Sequence, residues 1–366
     1  MRVALVSDAV YPYNKGGKEK RLHEISTRLA ARGHDVHIYC MKWWSGAELE
    51  RVEQGVHLHA ISRLYPLYDG RRRSIKQGIM FGLACFKLIR EHWDVIDVDH
   101  MPFFPLFSAK IVCMLKGKKM LATWHEVWGR GYWVKYLGWK GYIAAVVERL
   151  SFYMPDEIVA ASKLTFSRLN HYVGAHKHIV YIPNGVALRH IQDIKPSRRK
   201  SDVLYAGRLL KHKNVNLLIK AVGIMSRKHP GIQCLIVGEG PEEKRLRALV
   251  ETLNLQANIK FLKFLKTHEE LYAVMKSSCV FVSPSVREGF GLVIIEAQAC
   301  GLPVVTVNHP DNGARFLVEA DDLAEVSAES IAEKIEGMMN RGHSADLDHI
   351  KDWNQITSSY EKLWES

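Results

Sequence analysis

The 366-residue chain holds six cysteines, and none of them stands in a CxxC pair. That spacing argues against a zinc ribbon or a dithiol redox centre, and scattered thiols suit a reducing compartment. No uncharged apolar run reaches the ~18 residues of a membrane-crossing helix. The nearest, Gly78 to Ile89, is short and is broken by Lys87. Low-complexity segments and short repeats are missing. The opening Met1-Arg-Val-Ala-Leu-Val carries no signal-peptide cleavage pattern, so the expected location is cytoplasmic. Gly238-Glu-Gly240-Pro241 is not GxGxxG, and no acidic residue follows at the distance a dinucleotide site needs. An oxidoreductase is therefore a poor reading.

What is present is an ordinary globular balance, 47% hydrophobic and 25% charged residues. The length suits two domains of roughly 150–200 residues each. Charge is one-sided. Residues 1–190 hold 28 Lys/Arg against 16 Asp/Glu, whereas residues 191–366 hold 23 against 23, so the whole net charge of +12 lies in the first half. Such a field attracts anionic membrane, acidic substrate or nucleic acid, and no nucleic-acid recognition motif accompanies it.

Strand and helix patterns alternate along both halves. A strand at Val3–Ser7, a loop ending in Gly16-Gly17, a helix from Lys18 to Arg32 and a strand at Val36–Cys40 open the first half. Buried strands are expected near 95–98, 120–123, 157–160 and 179–182, followed by a polar linker at 192–202. Strands near 203–206, 233–237, 259–261, 280–283 and 304–307, separated by helices, fill the second half. The expectation is two tandem Rossmann-like, doubly wound α/β domains, 1–190 and 191–366, facing across a cleft.

The most informative segment is Ser283-Pro-Ser-Val-Arg-Glu288-Gly-Phe-Gly-Leu-Val-Ile-Ile-Glu296-Ala-Gln-Ala-Cys-Gly301-Leu-Pro303-Val. A strand runs into a turn, and Gly289-Phe290-Gly291 opens a helix at Leu292. Free amides at a helix start suit phosphate, and carboxylates accept paired hydrogen bonds from vicinal hydroxyls. Upstream, Gly207-Arg208 and Lys213-Asn214 follow another strand and place two cations where a departing diphosphate could be stabilised.

These segments resemble the donor-site motifs of glycosyltransferase family 4 (glycosyl transferases group 1), retaining enzymes of the GT-B fold. The resemblance implies that Glu288 binds hydroxyls of the transferred sugar and Glu296 the ribose of the nucleotide. It implies the acceptor side for 1–190 and the nucleotide for 191–366. It makes Arg208 and Lys213 the diphosphate clamp. It places Gly289, Phe290, Gly291 and Leu292 at the donor, with Gly16 and Gly17 bringing amides to its phosphate. His125, in Thr123-Trp-His125-Glu, matches the family's sugar-contacting histidine. Lys18 departs from the small or acidic residue that often follows the glycine pair.

The implied reaction moves a sugar from a UDP- or GDP-sugar to a sugar, polyol or lipid-linked hydroxyl with retention. The nucleotide sugar is substrate, and neither metal nor cofactor is expected. Asp97-Val-Asp99 has the form of a metal-binding DxD but no companion ligands, and His171, His176 and His178 suit a polar helix end. A GT-B epimerase or hydrolase, and a non-catalytic nucleotide-sugar binder, are the alternatives. Arg71-Arg-Arg73 and the aromatic, basic stretch from Trp128 to Tyr153 suggest a peripheral enzyme on an anionic membrane, with an aromatic inter-helix core as the plainer explanation. The closing stretch 352–364 resembles a helix that crosses back to the first domain.

Overall fold

The computed structural model describes residues 1–70, 72–341 and 350–365, so Arg71 lies outside the described residues. Contacts divide the chain into two compact units, Met1–Asn184 with Trp353–Ser366, and Gly185–Asp352.

In the first unit, β1 (Arg2–Val6), β2 (Asp35–Met41), β3 (Glu50–Glu53), β4 (Val56–Ser62), a small hairpin of β5 (Tyr68–Asp69) and β6 (Arg72–Arg73), then β7 (Val95–Asp99), β8 (Leu121–Trp124), β9 (Glu157–Ala160) and β10 (His178–Tyr181) follow in chain order. Apart from the hairpin they form one sheet in the order β10-β9-β8-β7-β1-β2-β4-β3. Every pairing in that sheet is parallel except β3 on β4. Strands such as Val3–Val6 are apolar at successive positions because helices cover both faces.

The helices of this unit are α1 (Gly17–Ala31), α2 (Ile75–Ala84), α3 (Phe104–Lys116), α4 (Gly129–Leu137), α5 (Lys140–Ser151) and α6 (Lys163–Val173). Helix α2 continues into a 3-10 turn, Cys85–Arg90. The connections β4→β7, β7→β8 and β8→β9 all step the same way across the sheet, and β1→β2 steps the other way. Crossovers are right-handed, so α2 to α5 share one face and α1 takes the opposite one. The shared face encloses a core that includes Phe81, Leu106, Trp124 and Phe152.

The second unit carries α7 (Leu188–Asp193), β11 (Ser201–Ala206), α8 (Val215–Met225), β12 (Cys234–Val237), α9 (Glu243–Thr252), β13 (Ile259–Leu262), α10 (His268–Met275), β14 (Ser278–Ser283), α11 (Leu292–Ala299), β15 (Val304–Val307), β16 (Leu323–Ala324) and α12 (Ala328–Arg341). Its sheet order is β13-β12-β11-β14-β15-β16, all parallel.

Helix α13 (Trp353–Glu365) belongs to the first unit. Buried Arg21 of α1 ties it there: Nη2 donates to the Tyr360 hydroxyl at 3.1 Å and to Ile182 O at 2.8 Å, while Nη1 donates to Pro183 O at 2.7 Å and Asn184 Oδ1 at 2.9 Å. The units divide at 184/185, so the expected linker at 192–202 lies inside the second unit, where it ends α7 and begins β11. Strands β3 and β4 were not anticipated from the sequence.

Candidate active site

In doubly wound sheets the ligand crevice opens beyond the carboxyl ends of strands, where the strand order reverses. In the first unit the order reverses between β1 and β7. The segments leaving β1, β7 and β8 bring together Ser7, Asp8, Asp99, His100 and His125, and the first turn of α1 adds Lys18. Lys18 Nζ lies 2.7 Å from Asp8 Oδ1, 3.1 Å from Asp99 Oδ2 and 2.9 Å from the Met101 carbonyl. Burial opposes its charge, but the two carboxylates outweigh burial and hold the ammonium above its ordinary range. Asp99 shows the converse. Burial would raise it, yet Lys18 and His125 hold it well below the usual carboxylate range.

His125 Nε2 lies 2.9 Å from Asp99 Oδ1. An ionised carboxylate only accepts, so Nε2 is the donor of this pair. The second oxygen of Asp99 also accepts from Ser7 Oγ at 2.8 Å. Behind this group, Arg73 Nη2 and Gln77 Nε2 donate to Asp8 Oδ2 at 3.2 and 3.1 Å. An adjoining cleft is lined by Lys18, Asp97, Asp99, Thr123, His125 and Tyr360, among others. Asp97 sits deeper, where burial pushes its carboxyl up to about 6 despite a 2.7 Å hydrogen bond from Thr123.

Among the described residues, Asp99, His100 and His125 are the one group with metal-ligand spacing. Asp99 is shared by Lys18 at 3.1 Å and His125 at 2.9 Å. The sequence showed no companion ligands for Asp97-Val-Asp99, yet the fold sets His100 and His125 beside Asp99, while Asp97 instead accepts from Thr123. Gly16 is the N-cap of α1, and a Cβ there would lie 2.2 Å from the Glu19 carboxylate folded over it. Gly17 begins the helix, so both glycines sit at its amide-bearing end.

In the second unit the order reverses between β11 and β14. Arg208 and Lys213 follow β11, and Glu288 follows β14, so the reversal brings the sequence motifs side by side. Lys213 Nζ donates to Glu288 Oε1 in a half-buried ion pair. Arg208 is exposed. Asn214, with φ of 48°, turns the chain into α8.

Backbone pairing fixes the Glu288 loop: Glu288 N donates to Asp311 O at 3.2 Å, and Gly313 N to Glu288 O at 2.8 Å. Gly291 caps α11 with φ of 99°, and a Cβ there would lie 2.8 Å from Ala314 Cβ, so both conformation and space require glycine. Phe290 is buried in the core of this unit, which leaves its backbone rather than its ring for a ligand. Leu292 starts α11 and packs partly against the same core. Glu296 is buried on α11 and accepts from the Tyr272 hydroxyl at 3.0 Å.

Sequence reasoning missed Tyr272, Asp8 and the orienting role of Asp99. Their partners lie on other segments, and no local spacing marks them.

Residues 15–190 match the family described as Glycosyltransferase Family 4, and residues 189–352 match Glycosyl transferases group 1. The phosphatidylinositol N-acetylglucosaminyltransferase gpi3 subunit of Schizosaccharomyces pombe is 24% identical, over 99% of this chain and 80% of its own length. A glycogen synthase of Mycobacterium tuberculosis is 27% identical over 84% of this chain and 78% of its own. Among solved structures, Anabaena HepE in complex with UDP and glucose superposes with a TM-score of 0.73 at 18% identity, covering 100% of both chains.

Proposed function

Because the chain belongs to the family 4 glycosyltransferases of group 1, we propose that it moves a sugar from a UDP- or GDP-sugar to a hydroxyl acceptor with retention of anomeric configuration. Family membership makes it a glycosyltransferase. The observation that carries the finer reading is the Lys213–Glu288 ion pair at the strand-order reversal of the second unit. A donor that opens this pair meets Lys213 and Arg208 with its diphosphate and Glu288 with its sugar hydroxyls. As the glycosidic bond breaks, the leaving diphosphate gains charge, and fixed cations together with the amides that open α11 stabilise it. Glu296, held by Tyr272, accepts the paired hydroxyls of the ribose. Within the first unit, Asp99 orients His125 toward a sugar, and Gly16 and Gly17 offer amides to a phosphate.

We place the acceptor hydroxyl on a lipid-linked molecule. The name of the fission-yeast relative, a phosphatidylinositol N-acetylglucosaminyltransferase subunit, supports this, as does the basic first unit of the present chain. The working location is the cytoplasmic face of a membrane. A thermal-shift screen of UDP-, GDP- and ADP-sugars tests the donor site, because a ligand that binds the native state raises the melting temperature. No shift with any nucleotide sinks the donor assignment. Turnover of donor alone to free or epimerised sugar, unchanged by lipid acceptors, would replace transfer by hydrolysis or epimerisation. NMR of the product's anomeric proton tests retention, and an inverted product removes it.

A further inference from the structure

Helix α5 is turned inside out for a surface helix. Its one acidic residue, Glu148, faces inward: Oε1 accepts from the Trp128 amide at 2.8 Å, and Oε2 from the Gly129 amide at 2.8 Å and Trp133 Nε1 at 2.9 Å. These three bonds fix the rotation of the helix about its axis. The consequence is that Trp139, Tyr142, Ile143, Val146, Leu150 and Tyr153 all face solvent, with Trp139 71% and Val146 58% exposed. Their spacing of 3, 4, 7, 11 and 14 from Trp139 is one continuous helical stripe.

Other helices packed on the same core also expose apolar residues. Helix α3 exposes Met114 and Leu115, and the α2 segment exposes Leu83 and Phe86, on the same side of the sheet. Exposed apolar area of this extent marks an interaction surface. Across α2 with its 3-10 extension, α3 and α5, the only acidic residue is the buried Glu148, whereas Lys76, Lys87, Arg90, Lys110, Lys116, Lys140 and Arg149 are basic.

We propose that α5 is an interfacial helix, lying in the plane of an anionic bilayer with its stripe among the acyl chains and Lys140 and Arg149 against lipid phosphates. Aromatic residues at both ends of an apolar stripe, flanked by cations and free of exposed carboxylate, fit the headgroup boundary. This deepens the reading of a lipid-linked acceptor and names the surface that brings the enzyme to it.

The test is co-sedimentation of the full chain with vesicles of phosphatidylcholine alone or with about 30% phosphatidylserine, a leaflet-like negative surface. Wild type should pellet with anionic vesicles. Changing Lys140 and Arg149 to Gln should weaken that binding by about fivefold per charge and leave binding to neutral vesicles unchanged. The pair Ile143→Asp and Val146→Asp should abolish binding to both.

Both positions are exposed, so folding is checked by the thermal shift on adding donor, which should match wild type. Wild type left in the supernatant with anionic vesicles overturns the proposal, as does binding unaffected by the Asp pair. Sedimentation velocity showing a wild-type dimer that the Asp pair dissolves would assign the stripe to a second copy and overturn it too. A lost donor shift in wild type would instead strike the transfer reading and leave the docking result standing.

Discussion

Lys213 and Glu288 neutralise one another between the segment after β11 and the segment after β14. On the proposed reading, a donor separates this pair, taking Lys213 for its diphosphate and Glu288 for its sugar. Glu288→Gln should therefore leave UDP binding, measured by titration calorimetry, no weaker than in wild type, since Lys213 is released. Sugar transfer should fall on the order of 10²-fold. Equal losses in UDP affinity and in transfer would show that Glu288 only shapes the loop.

Lys18 holds two buried carboxylates together. Lys18→Met should cost the fold about 3–5 kcal/mol, because Asp8 and Asp99 are left without their shared cation. Urea unfolding of the variant checks this, and a midpoint equal to wild type contradicts it.

Asp99→Asn keeps the shape of the side chain but lets either His125 tautomer form. Transfer should drop roughly 10²-fold, the cost of a misaligned group, with little change in KM for donor. A change confined to KM would make Asp99 a binding residue instead.

Asp97 gives a pH dependence of definite sign. Its carboxyl moves from 3.8 to about 6 in the fold, so the native state holds the proton more tightly than the unfolded chain. Its contribution is complete below the unfolded value and is lost as pH rises through about 6. Asp97→Asn cannot ionise. The stability of the variant relative to wild type should grow between about pH 4 and pH 6 and stay flat above about pH 7. A difference that is constant with pH would mean that Asp97 titrates alike in the folded and unfolded chain.

Arg21→Met removes the anchor of α13. A loss of about 3 kcal/mol is expected, with faster proteolysis of the segment beyond residue 352. Undiminished protease resistance there would mean that apolar contacts alone dock the helix.

The parallel strands were legible because two-sided burial makes them continuously apolar, and the helices between them because their stripes repeat. Strand β4 escaped because His57 and His59 interrupt its apolar run, and no helix separates it from β3. The second-unit residues proposed for the donor, Arg208, Lys213, Glu288 and Glu296, stood out because they lie in two compact motifs. The first-unit site is assembled from single residues 91 positions apart, as Asp8 and Asp99 are, and only sheet order brings them together. The aromatic stretch from Trp128 to Tyr153 separates in the structure into two roles. Trp133 is buried, with Trp128 and Tyr136 packed on that core, whereas Trp139, Tyr142 and Tyr153 point outward. Spacing became decisive only once Glu148 had set the rotation of α5.

The attachment of α13 to α1 bears on how the molecule is made. A ribosome must thread all of 185–352 before the segment that covers one side of α1 emerges. Until then Arg21 waits without the Tyr360 hydroxyl, and the nascent first unit is unfinished while the second, contiguous in the chain, can already close. Order of synthesis and order of completion are thus reversed.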